Sequence, residues 1–288
     1  MVAHLRRVIV KRPEEAFGDR GQIEDQWKPL GYTRAPDFAR ATEDHREFVR
    51  LIEQSGAEVL YLPADDRTGL DSLYAHDPVL VTDRGVIIFQ TGKVARRGEG
   101  PAFSDAFRSW DVPILGTIDG PATAEAGDMV WLDHDTLLVG RGFRTNALGI
   151  ERLSDLVSPL GVTVVPVELP YWRGPQDVLH LMSLISLLDD DLAVVYRRIL
   201  PVPLFELLSV YGVQLIDVPE EEYDTLGCNV LAVSPRNAIM VKGNPITRSR
   251  LEAAGCKVSE FDGSEICLPG AGGPTCLTRP LLRSYDAG

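Results

Sequence analysis

Hydrophobic and polar positions along this chain form a pattern that returns about every 45 to 55 residues. Four pairs of short apolar runs are each joined by a tight polar turn: DPVLV-TDRG-VIIFQ from residue 77, DMVWL-DHD-TLLVG from 128, LISLL-DDD-LAVVY from 184 and NVLAV-SPRN-AIMVK from 229. Turn residues between β-rich runs predict hairpins. Each hairpin precedes a stretch of helical character, such as 145–160 or 246–254, and then another short strand. Five such closing strands are predicted, beginning GAEVLYLP, WDVPILGTI, GVTVVPVELP, GVQLIDVP and GCKVSEFD. The unit is strand, strand, helix, strand.

The first closing strand has no complete hairpin before it. It has an apolar run at 5–10 and a helix over 37–54, where Phe38, His45, Phe48, Val49 and Ile52 fall at helical spacing and Gly56 suits the stop. The missing strand is expected from the C-terminal run 275–279. The two ends would then complete a fifth unit and close a ring of five, much as a propeller manages its edges by radial repetition. The expected fold is therefore α/β, a single domain over 1–288 with pseudo-fivefold symmetry.

Composition narrows the function classes without choosing one. Of 288 residues, 44% are hydrophobic and 25% charged, the balance of a globular protein. A net charge of −13 argues against nucleic acid or an anionic membrane as partner and is compatible with a cationic small molecule. The start lacks a signal-peptide pattern and no apolar run is long enough to span a bilayer. The four cysteines lack CxxC spacing, so neither a zinc site nor a disulfide framework is indicated, and the expected location is cytoplasmic. No metal and no cofactor are expected. A homodimer is left open.

Ring closure would gather the residues that precede, or begin, the first strand of each unit: Asp77, Glu125 with Asp128, His180, Cys228-Asn229 and Cys276. Alone, Cys276 after its GAGG run reads as a small buried residue and His180 as a core histidine. Together they are a nucleophile and its proton-transfer partner. Two carboxylates beside a thiol would raise its pKa unless a cation lies between them. A planar guanidinium suits that place, because its forked donors match carboxylates.

The motifs EAGDMVW from Glu125, GRGFRTN from Gly140, DSLYAHD from Asp71, RRGE from Arg96, VLHL around His180 and GGPTC ending at Cys276 resemble, jointly and in order, the guanidine-modifying (pentein) superfamily, and most of all the dimethylarginine dimethylaminohydrolases. The resemblance implies a five-bladed ββαβ α/β-propeller. It also implies Cys276 as nucleophile, His180 as general acid/base, and Asp77 and Glu125 as holders of the guanidinium. Arg96 and Arg144 would bind an α-carboxylate, with Arg97 as the alternative to Arg96, and Asp71 the α-amino group. Asp128 would line the site or support it. His76 stands where an acidic residue is expected, changing the charge at the substrate's inner end, and 17–36 is longer than the family's substrate-covering segment. The implied reaction hydrolyses the guanidinium carbon of arginine or methylated arginine through a covalent thiouronium, releasing citrulline and an amine. The competing readings are an amidinotransferase, an arginine deiminase or dihydrolase, a thiol redox or metal protein, and a catalytically silent amino-acid-binding protein.

Overall fold

A computed structural model describes residues 1–285. Fifteen strands form five separate three-stranded sheets. Four sheets follow the predicted unit, with an antiparallel hairpin whose second strand pairs in parallel with a third after a helix. They are β3 (Val79–Thr82), β4 (Gly85–Phe89) and β5 (Ile114–Ile118); β6 (Met129–Trp131), β7 (Thr136–Arg141) and β8 (Thr163–Glu168); β9 (Ile185–Asp189), β10 (Leu192–Val195) and β11 (Gln214–Asp217); and β12 (Leu231–Ser234), β13 (Asn237–Val241) and β14 (Lys257–Phe261).

The fifth sheet joins the two ends of the chain. Its centre is β1 (His4–Val10), parallel to β2 (Glu58–Tyr61) and antiparallel to β15 (Arg279–Ser284), with Ile9 opposite Arg279. The closing strand is thus 279–284 rather than the expected 275–279. Residues 275–278 form a turn, in which the Leu277 and Thr278 N–H groups bond the carbonyls of Gly273 and Thr275. That turn consumes the backbone donors a strand would need.

Each sheet is crossed by a helix: α3 (Phe38–Gln54), α4 (Glu99–Ser109), α5 (Ala147–Val157), α6 (Val202–Val210) or α7 (Pro245–Ala253), while α1 (Pro13–Phe17) and α2 (Arg20–Gln26) precede α3. Asp37 and Asn146 cap α3 and α5 by accepting the N–H of Arg40 and Gly149. The turns after the five crossover helices contain a positive-φ residue. In four it is glycine, at Gly56, Gly161, Gly212 and Gly255. After α4 it is Asp111, a residue whose short polar side chain tolerates that conformation. The helix faces complete the core; Phe48 and Ile52 of α3, for instance, are fully buried, and the Phe48 ring lies 4.7 Å from that of Phe261 on β14. Among the described residues no helix is long and apolar enough to cross a membrane.

Residues 17–36 include α2 and a following turn, pinned at several points. Phe17, Ile23 and Tyr32 are buried, Arg34 forks onto Glu265 at 2.6 and 2.9 Å, and the Thr33 N–H reaches the Pro269 carbonyl.

Candidate active site

One position repeats in all five sheets: the segment just before the first strand of the hairpin, or before β15 in the terminal sheet. Asp77 precedes β3, Glu125 and Asp128 precede β6, His180 precedes β9, Asn229 precedes β12, and Cys276 precedes β15. Asp77, Glu125 and His180 make side-chain contacts with one another, Asn229 pairs with Cys276, and Asp77 lies near enough to act on the Cys276 thiol. Nε2 of His180 lies 2.7 Å from Glu125 Oε2, and Nδ1 lies 4.0 Å from Asp77 Oδ1. Asn229 donates Nδ2–H to Cys276 Sγ at 3.2 Å and accepts the Thr275 N–H at 3.0 Å. The His76 N–H bonds the Cys276 carbonyl at 3.1 Å, tying the backbone at Cys276 to the residue before Asp77.

Two glycines make the approach possible. A methyl on Gly127 would sit 2.3 Å from His180 Nδ1 and 2.9 Å from Asp77 Oδ1, and its N–H already donates to Asp77. A methyl on Gly273 would strike the Asn229 carboxamide at 2.5 Å. The glycines before Cys276 thus admit Asn229 and the Tyr74 ring, against which Gly270 and Gly272 pack.

The electrostatics are set by buried acids. Burial would raise the pKa of Asp77, but Arg96, His180 and His76 hold it well below the usual carboxylate range. Burial likewise opposes ionisation of Glu125, yet the hydrogen bond from His180 and the Arg144 guanidinium bring it to about 2. Burial pulls His180 down, and the carboxylates of Asp77, Asp128 and Glu125 outweigh it, raising the imidazole to about 9. The Cys276 thiol is pushed up to about 12 by burial and by Asp77, against the bond from Asn229. At neutral pH the unliganded site therefore holds a thiol, an imidazolium and two carboxylates. Asp77, Glu125 and His180 present ligand atoms within 4.8 Å of one another. Both carboxylates already face a guanidinium and the imidazole is protonated, so a flat monocation suits them better than a dication.

Several expected residues take other partners. Arg96 was expected at a substrate carboxylate. In the structure its Nε and Nη2 fork onto Glu99 at 2.9 and 2.8 Å, Nη1 donates to Asp77, and Nη2 also reaches the Tyr74 carbonyl. Arg96 is the buried counter-ion that keeps Asp77 ionised. Arg144 is buried and pairs with Glu125 at 3.0 Å. Asp128 accepts the Leu181 N–H at 3.0 Å through Oδ1 and so fixes the segment carrying His180. His76 was expected at the substrate's inner end; its Nδ1 instead faces the Thr278 carbonyl at 2.8 Å. Of the pair Cys228-Asn229, only Asn229 joins the cluster. Cys228 is buried, and its carbonyl accepts from Ser186.

Asp71 does bind an ammonium, but that of Lys93. Lys93 Nζ lies 2.6 Å from both Asp71 Oδ2 and the Leu30 carbonyl, and its backbone N–H donates to Glu125 at 3.1 Å. Sequence reasoning missed Lys93 and the role of Asn229. Position offered a signal for both: Lys93 lies three residues before the RRGE motif, and Asn229 at the repeat-equivalent place.

The family described as "N,N dimethylarginine dimethylhydrolase, eukaryotic" matches residues 23–283. An N(G),N(G)-dimethylarginine dimethylaminohydrolase of Pseudomonas aeruginosa is 30% identical over 230 residues, covering 80% of this chain and 84% of that protein. A protein of the same name from Streptomyces coelicolor is 29% identical, covering 87% and 89%. The solved structure of a cysteine-to-serine variant of the Pseudomonas aeruginosa enzyme with citrulline superposes with a TM-score of 0.79 at 27% identity, over 98% of this chain and 100% of that one. With a thiol, an imidazole and two carboxylates at equivalent ends of four of its five sheets, the chain belongs to the dimethylarginine dimethylaminohydrolase family of amidine-hydrolysing enzymes, within the guanidine-modifying superfamily.

Proposed function

We propose that the chain hydrolyses the guanidinium carbon of methylated arginine, giving citrulline and an alkylamine. The observation that carries this is the joining of His180 to Glu125 and Asp77 in the buried cluster that also holds Cys276. The guanidinium lies against Asp77 and Glu125, and its charge favours loss of the Cys276 proton to solvent water as the substrate binds. The thiolate adds to the guanidinium carbon. His180, already an imidazolium, passes its proton to the departing amine as the C–N bond breaks, leaving an S-alkylthiouronium on Cys276. Neutral His180 then takes a proton from water as it attacks the same carbon; the C–S bond breaks, the remaining hydroxyl proton passes to the released amine or solvent, and citrulline departs with the thiolate restored.

The five sheets are best understood as blades of one ring. β15 lies against β3, β5 against α5, 126–128 against 181–183, β9 against β12, and β12 against β1, so each sheet meets its neighbours and the first meets the last. Exposed Arg97 is the candidate for a substrate carboxylate, since Arg96 is buried against Glu99 and Asp77 and Arg144 against Glu125. A cytoplasmic location is supported by four free cysteines, three of them buried, and the net charge of −13 speaks for a cationic small molecule over nucleic acid.

The test is product analysis with dimethylarginine, monomethylarginine and arginine. Equal release of citrulline and dimethylamine from dimethylarginine is expected, with Cys276→Ser inactive and folded. Ammonia from arginine as the main product would replace this reading with a deiminase. Turnover only with an added acceptor amine would replace it with an amidinotransferase, and binding without turnover with a silent binder.

A further inference from the structure

A cavity of about 1110 Å³ opens at the other ends of the strands from the catalytic cluster. Catalytic side chains precede β3, β6 and β9, whereas the cavity is lined by the turns that follow those strands, at 82–84, 132–134 and 190. Trp131, Met182, Ile185 and Val230 supply apolar wall. Arg279 and His76 also line it, though both are buried.

Arg279 is an unusual buried guanidinium. Its Nη1 donates to the carbonyls of Val79 and His76 at 2.7 and 3.2 Å. Among the described residues Nε has no partner, no hydrogen bond is recorded for Nη2, and no carboxylate lies within ion-pair distance. A buried cation without a paired anion is costly. Burial accordingly drags its pKa down to about 9, with Asp77 the one acid that opposes this. The unused Nε–Nη2 edge is the side of the fork that takes a carboxylate through two parallel hydrogen bonds.

His76 complements it. Its Nδ1 faces the Thr278 carbonyl and so carries the proton, which leaves Nε2 as an acceptor, and Nε2 too is buried without a partner. Burial, then Arg279, lowers the imidazole to about 3, so the ring is neutral. A fitting ligand brings an anion to Arg279, a hydroxyl to His76 and a short apolar body to the wall. The acids that line the cavity, Asp83, Asp133 and Asp190, sit in exposed or half-exposed hairpin turns.

We propose that this cavity is a second ligand site, separate from the catalytic cleft, which binds a small hydroxycarboxylate through the free edge of Arg279 and Nε2 of His76. The site touches the catalytic backbone directly. Arg279 holds the carbonyl of His76, and the N–H of the same residue bonds the Cys276 carbonyl, one position before Asp77. Occupancy is therefore expected to alter turnover as well as to be detectable as binding.

Titration calorimetry of the full chain with 2-hydroxyhexanoate, at fixed ionic strength, tests this, with hexanoate, hexanol and inorganic phosphate as comparison probes. One saturable site is expected, weaker for hexanoate and absent for hexanol. Arg279→Lys keeps the charge but loses the fork and should weaken binding at least tenfold, Ile185→Trp should fill the cavity and abolish it, and Arg144→Lys should leave it unchanged. No saturable binding, phosphate outcompeting every carboxylate, or loss in Arg144→Lys with retention in Arg279→Lys would each overturn the proposal. If Arg279→Lys proves unstable, undiminished binding by folded Ile185→Trp overturns it just as well.

Discussion

Burial and Asp77 keep the Cys276 thiol protonated, and on the proposed mechanism the substrate's charge is what should release it. The Cys276 thiol stands at about 12 because burial and Asp77 both oppose a thiolate. A guanidinium held by Asp77 and Glu125 would bring a positive charge beside the sulfur, taken as a contact at about 4 Å. At an effective dielectric of about 20, that contact is worth about 4 kcal/mol. Divided by about 1.4 kcal/mol per tenfold, it raises the thiolate population about a thousandfold. Two alkylating agents of nearly equal size separate charge from reactivity: chloroacetamidine, a cation, and chloroacetamide, which is neutral. Their inactivation rates are measured between pH 6 and 9, and each is divided by its rate with a free thiol at the same pH. The corrected ratio should favour the cation by two to three powers of ten, about the size of the Coulomb gain. Asp77→Asn should remove most of the preference. A corrected ratio near one would refute the reasoning, because Cys276 would then ionise without help from a bound cation.

Other substitutions test the supporting contacts. Glu125→Gln removes an anion from His180, so the imidazole pKa falls from about 9; the alkaline limb of the kcat/KM profile, where the imidazolium is lost, should move to lower pH, and an unmoved limb would exclude His180 as the acid. Asn229→Ala deletes the donor to Cys276 Sγ; a hydrogen bond to a charged group is worth about 1.5–3 kcal/mol, so a ten- to hundredfold slower alkylation by chloroacetamidine is expected, read by rapid kinetics. Lys93→Ala leaves Asp71 open to a substrate ammonium; KM for arginine-type substrates should fall by up to about tenfold, while 5-guanidinopentanoate, which lacks the amino group, should be unaffected. Gly127→Ala places a methyl 2.3 Å from His180 Nδ1 and should abolish turnover in a folded protein, checked by circular dichroism beside the assay.

Much of this architecture was legible in the sequence because hydrophobic alternation and turn chemistry act locally. The hairpin runs at 77–90, 128–140, 184–196 and 229–242 all became antiparallel pairs, and the terminal run at 5–10 found its partner at the other end of the chain. The shift of that partner from 275–279 to 279–284 came from a turn closed by its own backbone bonds and anchored by the long-range contact of Asn229 with the Thr275 N–H, which leaves no periodic trace. The repeat also located the cluster, since equivalent ends of equivalent units meet. Pairing within the cluster was not legible. Arg96 binds Glu99 three residues away and Asp77 nineteen away, and nothing in RRGE distinguishes that buried ion pair from a substrate-facing one. Lys93 against Asp71, and His76 turned toward Thr278, are likewise products of long-range packing.

The most direct measurement is intact-protein and peptide mass spectrometry of the enzyme quenched in acid within milliseconds of mixing with dimethylarginine. The account predicts a transient mass increase equal to dimethylarginine minus dimethylamine, located on the peptide containing Cys276 and absent in Cys276→Ser. Citrulline formed at full rate with no such adduct, or an adduct carried by Cys228, Cys256 or Cys267, would contradict it.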